Sequence, residues 1–132
     1  MAKPATLPNS TLARIRAIER GLPFRRLARL GTQLDEPAAS IAELVQIAPR
    51  TLARRKTHGT LKPDESERVE RFERIYAQAV ELFEGDRTAA VRWLKQANRG
   101  LALRTPLDFS RTEIGAREVE RLIGRLEHGV FA

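Results

Sequence analysis

The chain contains no cysteine, only two histidines, and few aromatics: five Phe, one Tyr and one Trp among 132 residues. The first absence excludes disulfides and thiolate metal sites. Two isolated histidines, His58 and His128, do not make a metal cluster, so no metal and no cofactor is expected. No stretch approaches the length of a membrane span. Met1-Ala2-Lys3-Pro4 is followed by no apolar run of the kind a secretory signal carries, so a cytoplasmic location is expected. Glycine-rich phosphate loops are missing, and no nucleophile stands beside a base, which argues against an enzyme. With hydrophobic residues at 42% and aromatics at 5%, a core must be built from Leu, Ile, Val and Ala.

What is present is charge, unevenly placed. Residues 1–62 hold 12 Lys+Arg against 4 Asp+Glu, whereas residues 63–132 hold 12 against 13. The first part is basic enough to attract a polyanion, and the second is balanced like a protein-binding module. The expected division is therefore a basic region over 1–62 and a second helical domain over 63–132.

Leucine and alanine at helical spacing recur throughout, without sustained β-branched alternation, so the fold class is all-α. Residues 1–10 read as a loose arm. Leu12, Ile15 and Ile18 mark a helix that Gly21 stops, and Pro23 opens another carrying Phe24, Leu27 and Leu30. Pro63 at a first helical position begins a long helix with Val69, Phe72, Tyr76, Ala79 or Val80, and Phe83 on its inner stripe. The Phe72, Tyr76 and Phe83 stripe is also a candidate dimer surface. Asp86 caps the next helix. Thr105-Pro106-Leu107-Asp108 and Ser110-Arg111-Thr112-Glu113 each read as a capping box, with Asp108 reaching back to the first of them.

Ile41, Leu44, Val45, Ile47 and Leu52 are spaced as the shared core of two short helices joined near Gln46-Ile47-Ala48, with Pro49 opening the second. With Leu52 inward, Arg50, Thr51, Arg54 and Arg55 fall on the outer side, and Lys56 extends the basic run. Such groups suit phosphate oxygens and base edges, although an ordinary solvated basic face has the same composition. Gln46 occupies a turn position that often holds glycine, so a left-handed turn there carries strain.

The last helix ends in Glu127-His128-Gly129-Val130-Phe131-Ala132. Two apolar side chains and a carboxylate after a C-cap glycine mark a tail that docks, either on its own core or in a partner's cleft.

Together these residues resemble a known family. The run Thr51-Leu52-Ala53-Arg54-Arg55-Lys56, then Gly59, Leu61, Pro63-Asp64-Glu65-Ser66, Ala89 to Leu94 and Asn98-Arg99 is followed by Arg104 to Asp108, Gly115 to Glu120 and Glu127 to Phe131. Their order and spacing are similar to those of Xre/MbcA/ParS-type antitoxins, from about Leu12 to the end of the chain. The resemblance implies an Xre-like helix-turn-helix region followed by a small toxin-binding domain. It implies a cognate RES-domain toxin that consumes NAD through a fold like that of ADP-ribosyltransferases. It also implies occlusion of the toxin's NAD pocket, assigned here to Glu127, His128, Gly129, Val130, Phe131 and Ala132, and repression of the antitoxin's own operon. Operator DNA is then a second partner, read through Arg50, Thr51, Arg54, Arg55 and Lys56. A homodimer, or a higher complex with toxin, is expected because such readers bind paired half-sites. A stand-alone repressor with a C-terminal dimerisation domain is the alternative. The chain departs from the family where Ala48 and Lys62 replace a capping Ser, and where Ala102-Leu103 replaces a glycine-rich turn.

Overall fold

Proline at a helix's first position has no N–H to leave unpaired, and three helices of this chain start on one. The computed structural model describes residues 9–129 and, among them, helices and turns with two isolated bridges. In chain order they are α1 (Asn9–Arg20), α2 (Phe24–Leu34), α3 (Ala38–Leu44), α4 (Pro49–His58), α5 (Pro63–Leu82) and α6 (Arg87–Leu94). A 3-10 turn (Arg99–Leu101), α7 (Pro106–Phe109) and α8 (Glu113–Glu127) follow. The all-α expectation holds. None of the described helices is long and apolar enough to cross a membrane.

The longest helix, α5, organises the rest. Pro63 sets its first turn, and the Glu65 carboxylate accepts the Lys62 N–H at 2.9 Å; this is the N3 half of a capping box, and Lys62 has no side-chain acceptor to supply the half that a Ser would. Its inner positions, Ser66, Val69, Phe72, Ile75, Tyr76 and Ala79, are buried. They recur every three or four residues, which on a helix makes one face. Ile75 joins the expected stripe, while Val80 and Phe83 are only partly buried.

Phe72 is 0% and Tyr76 7% exposed, so the proposed dimer stripe is corrected. α5 packs against α1 and α2 as well as α6 and α8, and these neighbours use the stripe as core.

One hydrophobic cluster therefore runs from Leu22 and Leu27 through Val69 and Phe72 to Val119 and Ile123. Ion pairs seal its edges: Arg14 with Glu70, Arg26 with Glu73 at 2.6 Å, and Arg74 with Glu70 and Glu120 at 3.0 and 3.3 Å. The Glu73 hydrogen bond raises the Arg26 pKa above its ordinary value.

Candidate nucleic-acid interface and C-terminal domain

The helix pair anticipated around Gln46 is α3 and α4. Ile41, Val45 and Ile47 are buried, and Leu52 packs half-buried against the same core. Gln46 has φ 59°, the left-handed conformation expected of the turn, and the Ile47 N–H donates to the Ala42 carbonyl at 2.8 Å. Ala48 precedes α4 without a side-chain cap.

The loop after α4 is also fixed. Leu61 N–H donates to the Leu22 carbonyl at 2.8 Å, and Phe24 N–H to the Gly59 carbonyl at 2.9 Å. Beneath them the Ser66 hydroxyl accepts the Leu22 N–H at 2.8 Å and donates to the Lys62 carbonyl at 2.7 Å. The α1–α2 and α4–α5 loops are thus stitched together, leaving Arg20, Arg25 and Lys62 exposed near one end of α4.

On α4 itself, Arg50, Arg54 and Lys56 are exposed and Thr51 is half-buried; among the described residues, the Arg54 side chain hydrogen-bonds only to the Thr51 hydroxyl, at 3.3 Å. The expected outward orientation of Arg55 is corrected. Its guanidinium turns onto α5 and donates to both Glu65 oxygens, at 2.7 and 3.1 Å. The two side chains are 13% and 8% exposed. In the last turn of α4, Arg55 lies beside the start of α5, within reach of the Glu65 carboxylate.

Burial of Glu65 acts to raise its pKa, but hydrogen bonds from Arg55 and the Lys62 amide outweigh it and hold the carboxyl below its ordinary value. The same bond raises the Arg55 pKa. Arg68 adds a second tie, donating from Nε to the Val45 carbonyl at 2.6 Å at the α3–α4 turn. Glu65 and Arg68 are positioning residues that sequence spacing did not reveal. Arg55 and Glu65 lie ten positions apart across a loop, beyond any single-helix pattern.

The C-terminal elements are set by caps. Asp86 accepts the Ala89 N–H at 3.0 Å, as expected. Thr105 accepts the Asp108 N–H at 3.0 Å, but the expected return bond is absent: the Asp108 carboxylate takes Arg104 Nε at 2.6 Å. The cap of α8 is Thr112, which accepts the Gly115 N–H at 3.1 Å. Ser110 is instead fully buried and donates to the Pro106 carbonyl at 2.8 Å. Glycine is required at 115, where a Cβ would stand 1.7 Å from the Phe109 carbonyl oxygen. Val119, Leu122 and Ile123 bury one face of α8, and the exposed Gly129 follows its end at φ 65°. Of the six tail residues, Glu127, His128 and Gly129 are exposed. Val130, Phe131 and Ala132 lie outside the described residues.

These two surfaces match two known domains in the same order. Residues 13–74 match the antitoxin Xre-like helix-turn-helix domain, and residues 78–129 the antitoxin Xre/MbcA/ParS C-terminal toxin-binding domain. A protein named antitoxin Xre from Photorhabdus laumondii is 37% identical over 127 residues, covering 95% of this chain and 86% of that one. The chain belongs to the Xre/MbcA/ParS-type antitoxin family. A second protein of that name, from Yersinia enterocolitica, is 48% identical over 97 residues, which span 73% of this chain and 66%, just under two thirds, of the relative. As an antitoxin, this protein acts within a toxin-antitoxin system. The matched segments meet inside α5, whose helix carries both the Arg55 partner Glu65 and the packing surface for α8.

Proposed function

We propose that this antitoxin neutralises a cognate RES-domain, NAD-consuming toxin by occluding its active site, and represses its own operon through α4. The observation that carries the first part is the match of residues 78–129 to a toxin-binding domain, ending at the exposed Gly129. A pocket for a phosphate-bearing dinucleotide needs cationic and aromatic lining, which is matched by an entering phenyl ring such as that of Phe131. The antitoxin acts here by binding and not by turnover.

The DNA reading rests on exposed Arg50, Arg54 and Lys56 on a fixed helix within the helix-turn-helix match. Two copies would read paired half-sites. We place the change of role at Pro63, with DNA binding in residues 1–62 and toxin binding in 63–132; it is a change of surface and charge within one continuous core.

Co-purification with the RES-domain toxin, followed by an NAD-consumption assay, tests the inhibitory role. Deletion of Gly129 to Ala132 is expected to release NAD consumption while operator binding persists. Full inhibition by the truncated chain at the parent's inhibition constant would place the blocking surface elsewhere.

A further inference from the structure

The segment from Asn98 to Arg104 makes a closed turn held by hydrogen bonds between its own residues. Leu101 and Leu103 donate to the Asn98 carbonyl at 3.0 and 2.9 Å, and Arg104 to the Leu101 carbonyl at 3.0 Å. Asn98 N–H returns to the Arg104 carbonyl at 3.1 Å, and its side-chain oxygen accepts the Gly100 N–H at 2.8 Å. The turn is anchored from below: Leu101 is buried, and the Gly100 Cα faces the Leu122 side chain of α8.

At its tip, Ala102 and Leu103 are consecutive residues with φ 54° and 65°. Side chains with a Cβ disfavour this left-handed region, which glycine occupies freely. Here the same position also carries a large apolar side chain that is 68% exposed.

A lone surface leucine needs no explanation. A leucine held on a strained, hydrogen-bonded knuckle does, because it adds little burial to this chain and glycine would make the turn at lower energy. Strained backbone that persists in a rigid frame is a signature of binding surfaces. The flanking groups define the complement. Arg99 and Arg104 are exposed beside the tip; the Arg104 guanidinium lies 5.5 Å from the centre of the Phe109 ring and 2.6 Å from Asp108.

We propose that the 98–104 knuckle is a second anchor for the toxin, inserting Leu103 into an apolar pocket rimmed by carboxylates. The proposal rests on the toxin-binding reading of this domain, and it adds a contact separate from the C-terminal tail. Because the loop is already ordered, little conformational freedom is lost on docking.

The test is a Leu103→Gly variant of the full chain, measured against the purified RES-domain toxin of the same operon by titration calorimetry. Glycine relieves the backbone, so the melting temperature should rise by about 3 to 6 °C. Loss of one buried leucine at the interface should weaken toxin binding roughly ten- to a hundredfold. Leu103→Met should retain affinity within a few-fold of the parent. Stability and affinity thus move in opposite directions, which a purely structural role for Leu103 does not produce. Parent-like toxin affinity in Leu103→Gly overturns the inference, as does a joint fall in melting temperature and affinity. If the parent chain itself fails to bind, the functional reading falls first and takes the knuckle with it.

Discussion

Arg54 and Arg55 are neighbours in sequence but stand in opposite surroundings, and if α4 reads DNA as proposed they should behave differently toward it. Arg54 is exposed and pairs with no carboxylate among the described residues, whereas Arg55 is held by both oxygens of Glu65. Each phosphate neutralised contributes about 0.9 to the slope of log affinity against log salt. The exposed Arg50, Arg54 and Lys56 therefore give a slope of about −2.7 per subunit from α4 alone. Replacing Arg54 with Ala should make the slope shallower by about 0.9, so the variant loses about 3.5-fold less affinity than the parent on going from 50 to 200 mM salt. Replacing Arg55 with Ala should weaken binding by a similar factor at every salt concentration, because the helix is loosened and no phosphate contact is lost. Glu65→Gln frees the Arg55 guanidinium and should leave the slope unchanged or steeper. Fluorescence anisotropy with a labelled operator duplex reads all three. A slope made shallower by about 0.9 in Arg55→Ala would refute the positioning role.

Three further outcomes follow from the packing and from Glu65. Phe72 is fully buried at the junction of both halves, so Phe72→Ala should cost about 3 to 5 kcal/mol and lower a single unfolding transition, seen by circular dichroism. Gly115→Ala drives a Cβ into the Phe109 carbonyl and should cost about 3 kcal/mol, whereas Gly124→Ala, with open space inside α8, should stabilise by about 0.5 to 1 kcal/mol in the same melts. Because the Glu65 pKa is lowered by folding, its contribution is full above its ordinary value and is lost as pH falls through the lowered one. The stability gap between the parent and Glu65→Gln should accordingly be widest near neutral pH and close under acid; a gap independent of pH would contradict the lowered pKa.

Local chemistry made much of this fold legible. Pro49, Pro63 and Pro106 each occupy the first position of a helix, Asp86 caps α6, and Gly129 turns left-handed after α8, because each acts on backbone within a few residues. The left-handed turn at Gln46 is readable as a place where glycine is missing, whereas the one at Ala102-Leu103 is signalled only by comparison with the family's glycine-rich turn. Side-chain choice among several partners was not legible. Asp108 had both the Thr105 amide and the Arg104 guanidinium within reach, and the charged donor prevailed. Ser110 read as a cap because it precedes an acidic helix start, yet it closes α7 from inside the core. Arg55 matched its basic neighbours in one dimension, and only the approach of α5 separates it from them.

Helix α5 also has a mechanical aspect. Its 20 residues make a rod about 30 Å long, bearing near its first turn the carboxylate that grips α4 and toward its other end the surface shared with α6 and α8. A rod of that length is a lever. Tilted by about 5° around its midpoint, it moves each end by about 1.3 Å. Hydrogen bonds to base edges tolerate only a few tenths of an ångström, so if α4 reads DNA and the C-terminal domain seats on a toxin as proposed, a small adjustment at one end would be enough to spoil the aim at the other.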